Sequence, residues 1–225
     1  MSILTFHSRL LRCFSKLVSA TTTSSRQTTK QGYKKSEKRI LPLLKSTNKK
    51  RTIVLDLDET LVHSTMQPPR VKTDFMVRVK IEGTVIPMFV VKRPGVDEFL
   101  ERISENYKVV VFTAGITDYA SQVLDKLDKK HIISQRLYRD SCKEMNGKYV
   151  KDLSLVEGKE LGNVLIVDDN PSSFMLHPEN GVPIKPFVDD MNDRELMKLA
   201  DFFDRCYRYE DMRDAVNIFR ADQLI

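Results

Sequence analysis

Cysteine is scarce in this chain. Cys13, Cys142 and Cys206 are the three present in 225 residues. An odd number at unrelated spacings excludes a disulfide framework and offers no zinc-ligand pattern. A reducing intracellular compartment fits that usage. Long apolar runs are also missing. No stretch reaches the roughly 18 uninterrupted apolar residues that a membrane-spanning helix needs, so a soluble protein with no transmembrane span is expected. There is no internal repeat, and no acid precedes Glu37.

That last absence makes the net charge of +6 misleading, because residues 1–51 hold 13 Lys and Arg against one acid while residues 52–225 hold 24 against 30. The leader is strongly basic and the remainder acidic. A nucleic-acid-binding catalytic domain would carry its basic footprint on the folded surface itself, so no direct nucleic-acid contact is expected. With 41% hydrophobic residues the chain can bury one α/β core and is short for two. The organisation expected is a leader over residues 1–48 and a catalytic domain over residues 49–225.

On a helical projection of the leader, Ile3, Leu4, Phe6, Leu10, Leu11, Phe14, Leu17 and Val18 fall on one side, and Arg9, Arg12 and Lys16 fall opposite. A Ser/Thr-rich run from Thr21 to Thr29 follows. This is the composition of an organelle transit peptide. The same residues also suit a disordered basic leader or a membrane-surface helix. Lys34-Lys35, Lys38-Arg39 and Lys49-Lys50-Arg51 can instead be read as nuclear localisation signals. The compartment expected is therefore the nucleus or a mitochondrion or plastid.

Residues 52–56 form a short apolar run ending in acid, the pattern of a buried parallel strand that delivers a carboxylate at its C-terminal end. Lys108 to Thr113 and Asn163 to Asp169 repeat the form. Helical spacing links Val96, Phe99, Leu100 and Ile103, and then Tyr119, Ala120, Val123, Leu124 and Leu127. Strands alternating with helices predict an α/β fold with a Rossmann-like parallel sheet, whose ligands bind outside the carboxyl ends of the strands. Residues 75–91 alternate instead, as an inserted antiparallel β-hairpin turning at Glu82-Gly83, with Phe75, Val77, Val79 and Ile81 on one arm and Val85, Pro87, Phe89 and Val91 on the other. Pro183 to Val188 reads as a further strand. Asn192 with Glu195 reads as a capping pair for a helix carrying Leu196, Leu199, Phe202 and Phe203.

Asp56 and Asp58 stand two residues apart as the first strand ends, and in a continuing strand they share a face. Phosphoryl transfer can use such a pair, one carboxylate attacking phosphorus and the other giving a proton to the departing oxygen. Alternatively Asp58 merely caps the turn. Asp168 and Asp169 add two more acids after another strand, and charges 4 Å apart repel by roughly 4 kcal/mol at an effective dielectric of 20. Such a cluster wants a cation, and oxygen donors with a phosphate to share point to Mg²⁺. Lys151 is the candidate cation for the transition state, though alone it reads as a solvated surface charge. Thr113 can offer its hydroxyl and backbone N–H to a phosphate oxygen or serve as a helix N-cap.

Five segments now appear in order: Asp56-Leu57-Asp58-Glu59-Thr60-Leu61-Val62-His63-Ser64, Lys92-Arg93-Pro94-Gly95-Val96-Asp97-Glu98-Phe99-Leu100, Val111-Phe112-Thr113-Ala114-Gly115, Val150-Lys151-Asp152-Leu153-Ser154 and Ile166-Val167-Asp168-Asp169-Asn170-Pro171. Together they resemble the small C-terminal-domain phosphatases, the FCP-homology branch of the haloacid dehalogenase superfamily. The likeness runs from about Thr52 to Phe219. It implies a haloacid-dehalogenase-type sheet, Asp56 as nucleophile, Asp58 as general acid and base, and Thr113 and Lys151 as stabilisers of the moving phosphoryl group. It also implies Mg²⁺ held by Asp56, the backbone carbonyl of Asp58 and the position of Asp169. Where animal members commonly carry Asp-Asn, this chain has Asp168-Asp169. Tyr119 and Arg139 match residues near the family's substrate cleft, although that spacing also suits a core tyrosine and Arg139 a surface charge. The implied substrate is a phosphorylated protein or peptide, with the tail of the large RNA polymerase II subunit as the family's substrate class, and the enzyme is expected to act as a monomer.

Two rivals share the scaffold. The presequence receptor of the mitochondrial inner-membrane import machinery resembles these phosphatases but has lost catalytic acids, whereas Asp56 and Asp58 are intact here. A small-molecule or nucleic-acid phosphatase is the other, and the absence of a large cap insertion favours a peptide groove over it.

Overall fold

The computed structural model describes residues 51–156 and 160–222. The readings of the leader fall outside those residues. The first apolar run forms β1 (Arg51–Leu55), and the two later ones form β5 (Tyr107–Phe112) and β9 (Val164–Asp168). Ile53, Val54, Leu55, Val110, Val111, Leu165 and Ile166 are completely buried. Burial on both faces is why these strands read as continuous apolar runs rather than alternating ones. With β6 (Ile133–Leu137) and β10 (Gly181–Pro183) they form a sheet in the order β10-β9-β1-β5-β6, parallel throughout.

The register positions the chemistry. Leu55 lies opposite Val111 of β5 and Val167 of β9, so the residues that follow on all three strands emerge at one edge. The Asp56 N–H continues the ladder by one bond, to the Val167 carbonyl at 2.9 Å.

Helices α1 (Val96–Ser104) and α2 (Thr117–Leu127) bury the apolar residues their spacing predicts. α3 (Glu195–Cys206) packs Phe203 against Phe99 and Tyr107, with ring centroids 6.3 and 5.9 Å apart, and α4 (Met212–Asp222) follows. Among the described residues no helix is long and apolar enough to cross a membrane.

Three expectations need correction. The N-cap of α3 is Arg194, and the Glu195 N–H is accepted at 2.9 Å by Oδ1 of Asp193, not by Asn192, whose own N–H is turned to Asp190. The strand expected from Pro183 to Val188 instead ends at Pro183, which lies opposite Asp168, the last residue of β9. The Ile184 N–H adds one bond to the Asp168 carbonyl at 3.3 Å, and among the described residues no strand pairs beyond it. Ile184 and Phe187 are buried all the same, in irregular backbone.

The third correction concerns the hairpin. β3 (Phe75–Ile81) and β4 (Thr84–Lys92) are joined at Glu82 and Gly83, both with positive φ (48° and 85°). Two positive φ values make the turn whose twist matches paired strands, and glycine adopts them without a Cβ penalty. A two-residue loop sets Ile81 opposite Thr84, hence Val79 opposite Ile86 and Val77 opposite Met88. The inward residues of β4 are therefore Ile86, Met88 and Val90, while Val85 is 56% exposed. β2 (Val62–Thr65) completes a second sheet in the order β2-β4-β3. Gln122 of α2 bonds both the N–H and the carbonyl of Arg78, satisfying the edge of β3 and tying this sheet to the main layer. A small hairpin of β7 (Lys143–Met145) and β8 (Lys148–Val150) leads into the site.

Candidate active site

Asp56 leaves the end of β1 only 3% exposed. Its Oδ1 pairs with the Lys151 ammonium, and its Oδ2 accepts the Thr60 hydroxyl at 3.2 Å. Lys151 follows β8, is completely buried, and is anchored by its own N–H to the Ser173 carbonyl at 2.7 Å. The same ammonium reaches Asp168 Oδ2 at 2.6 Å. Burial alone would push its pKa down. Asp168 and Asp56 outweigh that and hold Lys151 above the ordinary lysine value, so it stays charged. The reading of Lys151 as a solvated surface charge is thus wrong.

Asp168, Asp169 and Asp56 can bring one carboxylate oxygen each within 4.8 Å of one another. Three clustered carboxylates, two of them paired with the Lys151 ammonium, make an all-oxygen set with excess negative charge that fits a hard divalent ion such as Mg²⁺. Asp168 and Asp56 each have both oxygens engaged, Asp168 by Lys151 and by the Asn170 N–H at 2.8 Å, Asp56 by Lys151 and Thr60. All three carboxylates remain ligand candidates.

Asp58 reaches the site by a turn, not along a continuing strand. β1 stops at Leu55, the Leu57 carbonyl accepts the N–H groups of Leu61 and Val62, and Glu59 takes a left-handed φ of 60°. Asp58 Oδ1 accepts the Tyr119 hydroxyl, and Oδ2 lies 3.4 Å from the Thr113 hydroxyl. Burial pushes the Asp58 pKa up to about 7, the charges of Glu59 and Asp56 adding to it and the Tyr119 hydrogen bond and Lys151 opposing. A carboxyl in that range can give and take a proton near neutrality.

Thr113 is buried just past β5. Its backbone N–H, expected to meet phosphate, is spent on the Leu137 carbonyl at 2.9 Å, because β6 continues the sheet there. Only the hydroxyl is left for chemistry. It accepts the Gly115 N–H at 2.9 Å. A Cβ on Gly115 would stand 3.1 Å from that hydroxyl and 3.4 Å from Asp58 Oδ2, so the position has no room for a side chain without displacing the site.

Tyr119 is 1% exposed and belongs to the core as its spacing suggests, yet its hydroxyl lies in the site. Arg139 is folded onto the loop after β5, with Nε on the Ala114 carbonyl at 2.6 Å and its guanidinium 4.9 Å from the centre of the Tyr149 ring. Four further residues escape sequence reasoning. Thr60 and Ser64 touch Asp56 and Tyr119, and Gly115 leaves the space described. Arg93, 1% exposed, bonds the Thr60 carbonyl at 3.1 Å, the Lys185 carbonyl at 2.8 Å and both oxygens of Asp193 at 2.9 and 2.7 Å. The signal available was its place just after β4 in the segment Lys92-Arg93-Pro94-Gly95, which carries no statement of what it bonds.

Residues 51–213 match the family described as NLI interacting factor-like phosphatase. The human CTD small phosphatase-like protein is 47% identical over 163 residues, covering 72% of this chain and 58% of that protein. Human carboxy-terminal domain RNA polymerase II polypeptide A small phosphatase 1 is 45% identical over 174 residues, covering 77% of this chain and 66% of its own length. The chain thus spans little more than half to two thirds of these relatives. The solved structure of Fcp1, an essential RNA polymerase II CTD phosphatase, superposes with a TM-score of 0.61 at 17% identity over 70% of this chain and 62% of that one, and bears out the α/β fold with its parallel sheet. These relatives carry phosphatase names and lend the import-receptor alternative no support. By its match across residues 51–213, the chain belongs to the NLI interacting factor-like phosphatase family.

Proposed function

We propose that the chain is a protein serine/threonine phosphatase acting through a phosphoryl-aspartate at Asp56. The observation that carries this reading is the setting of that carboxylate, buried at the end of β1 with Lys151 and Thr60 on its two oxygens. In the first step an Asp56 oxygen bonds to phosphorus as the bond from phosphorus to the serine or threonine oxygen breaks, and Asp58 gives its proton to that departing oxygen. In the second a water oxygen bonds to phosphorus, Asp58 takes a proton from that water, and the bond to Asp56 breaks to release inorganic phosphate. Lys151 and the Thr113 hydroxyl face the charge on the nonbridging oxygens. Asp56, Asp169 and the Asp58 carbonyl are the groups that would hold Mg²⁺, which when bound offsets repulsion between phosphate and the carboxylates.

Between β1 and α1 the described chain builds a small three-stranded sheet rather than a domain-sized cap, which supports a peptide as substrate. The human relative named for RNA polymerase II supplies the class to try first, a phosphoserine peptide of that polymerase's C-terminal domain. Rapidly quenched reactions should show phosphate on Asp56 by mass spectrometry, and Asp56→Asn should abolish both turnover and that adduct. Label on a serine or histidine instead would overturn the mechanism.

A further inference from the structure

The hydroxyl of Tyr119 is in the wrong place for a wall of the substrate cleft. It comes from the first turn of α2, its ring is 1% exposed, and its hydroxyl meets two side chains, Asp58 Oδ1 and Ser64 Oγ, the latter at 2.6 Å. Ser64 is itself 9% exposed on β2. A phenol has one proton to give. With Asp58 ionised, that proton goes to the carboxylate, and the Ser64 hydroxyl completes the chain by donating to the phenol oxygen. The carboxylate is thereby divided: Oδ1 is held by α2 and β2, while Oδ2 is turned toward Thr113 Oγ1, the side on which a phosphoryl group on Asp56 is to be stabilised. Gly115 keeps that side open.

From this geometry we infer that Tyr119 and Ser64 are positioning residues, a two-hydroxyl brace that fixes which oxygen of Asp58 faces the departing group and, later, the water. The inference rests on the phosphatase reading above and adds to it a role for two buried hydroxyls that never touch substrate. Tyr119→Phe keeps the ring in the core and removes the brace. Ser64→Ala acts only through Tyr119. If Asp58 is the proton donor, a misdirected carboxyl hurts a substrate whose leaving group needs that proton and spares one that does not.

The test uses the full chain with Mg²⁺, a phosphoserine peptide, and p-nitrophenyl phosphate as the activated probe. A hydrogen bond to a charged group carries an effect of about 10–100-fold. Tyr119→Phe should lower kcat on the peptide by about that factor with KM nearly unchanged. The aryl-phosphate burst should keep its rate while steady turnover slows and phosphate accumulates on Asp56. Ser64→Ala should show the same pattern more weakly, and the double variant should be no worse than Tyr119→Phe alone, because both act through one oxygen. A raised KM with kcat preserved would make Tyr119 a cleft residue and overturn the inference. Equal losses in burst and peptide turnover, or additive losses in the double variant, would reduce the brace to general packing. No burst and no Asp56 adduct in the unaltered protein would remove the phosphatase reading itself, a result distinct from either.

Discussion

Arg93→Met leaves every acid of the site in place and removes a buried cation. The guanidinium is fully buried, its bidentate partner Asp193 has a 5% exposed side chain, and Phe187 lies 5.6 Å beneath the guanidinium. Methionine matches much of the volume and none of the donors. It strands a buried carboxylate and frees the carbonyls of Thr60 and Lys185. Breaking one side of a buried pair costs about 3–5 kcal/mol. In a domain of this size each kcal/mol moves Tm by about 2–4 °C, so the expected loss is about 6–20 °C.

Acid titration identifies the cause. Burial on its own would raise Asp193, but the Arg93 hydrogen bonds and the Glu195 N–H outweigh it and hold the carboxyl below its ordinary value. A carboxyl depressed in the folded state stabilises the fold fully above its unfolded pKa of about 3.9 and less as pH falls below that toward the folded value. The gap in stability between the unaltered chain and Arg93→Met should therefore be full at pH 7 and shrink below about pH 4. Calorimetry and urea midpoints across pH 3–7 measure it. A Tm change under about 2 °C, or a gap that widens in acid, would refute the assignment of the pair as a stabilising clamp.

Asp58→Asn should lower peptide turnover by about 10²–10⁴-fold and let a phosphoenzyme build up with an activated aryl phosphate, as seen by quenched mass spectrometry. Excess chelator should stop hydrolysis of a phosphoserine peptide, and full turnover in its presence would sink the metal proposal. Asp169→Asn keeps a carboxamide oxygen at the same place and should preserve activity at saturating Mg²⁺ while raising the concentration needed, read from a metal titration. Lys151→Met, which leaves Asp56 and Asp168 facing each other without the ammonium, should reduce turnover by at least about 10²-fold, measured against the same peptide.

The main sheet was legible because a strand buried on both faces must be apolar throughout, and three such runs ended in Asp56, Thr113 and Asp168-Asp169. Parallel pairing then brings those ends to one edge, as the opposition of Leu55 to Val111 and Val167 shows. α1 and α2 were legible for the same kind of reason. The phase of β4 was not. Both parities of that strand carry apolar residues, Val85, Pro87, Phe89 and Val91 against Ile86, Met88 and Val90, so alternation alone leaves the choice open. The two-residue turn settles it, since pairing Ile81 with Thr84 joins odd positions to even ones down the whole ladder.

What the residues of the site do with their polar ends was harder to read than where they lie. Thr113 was placed correctly at the end of a strand, yet whether its N–H is available depends on β6, a strand with no apolar run of its own, whose Leu137 carbonyl takes that N–H. Asp58 was placed two residues after Asp56, yet a turn rather than a shared strand face delivers it, and a helix 61 residues away holds one of its oxygens. For Tyr119 the core reading and the site reading were set against each other, and the structure makes them compatible. Hydrophobic spacing reports where the body of an aromatic side chain goes, and says nothing of what its hydroxyl meets at the far end. A buried tyrosine must find a partner for that hydroxyl, and here the partner is the Asp58 carboxylate, two residues beyond Asp56, so that ordinary core packing brings the hydroxyl into the candidate site.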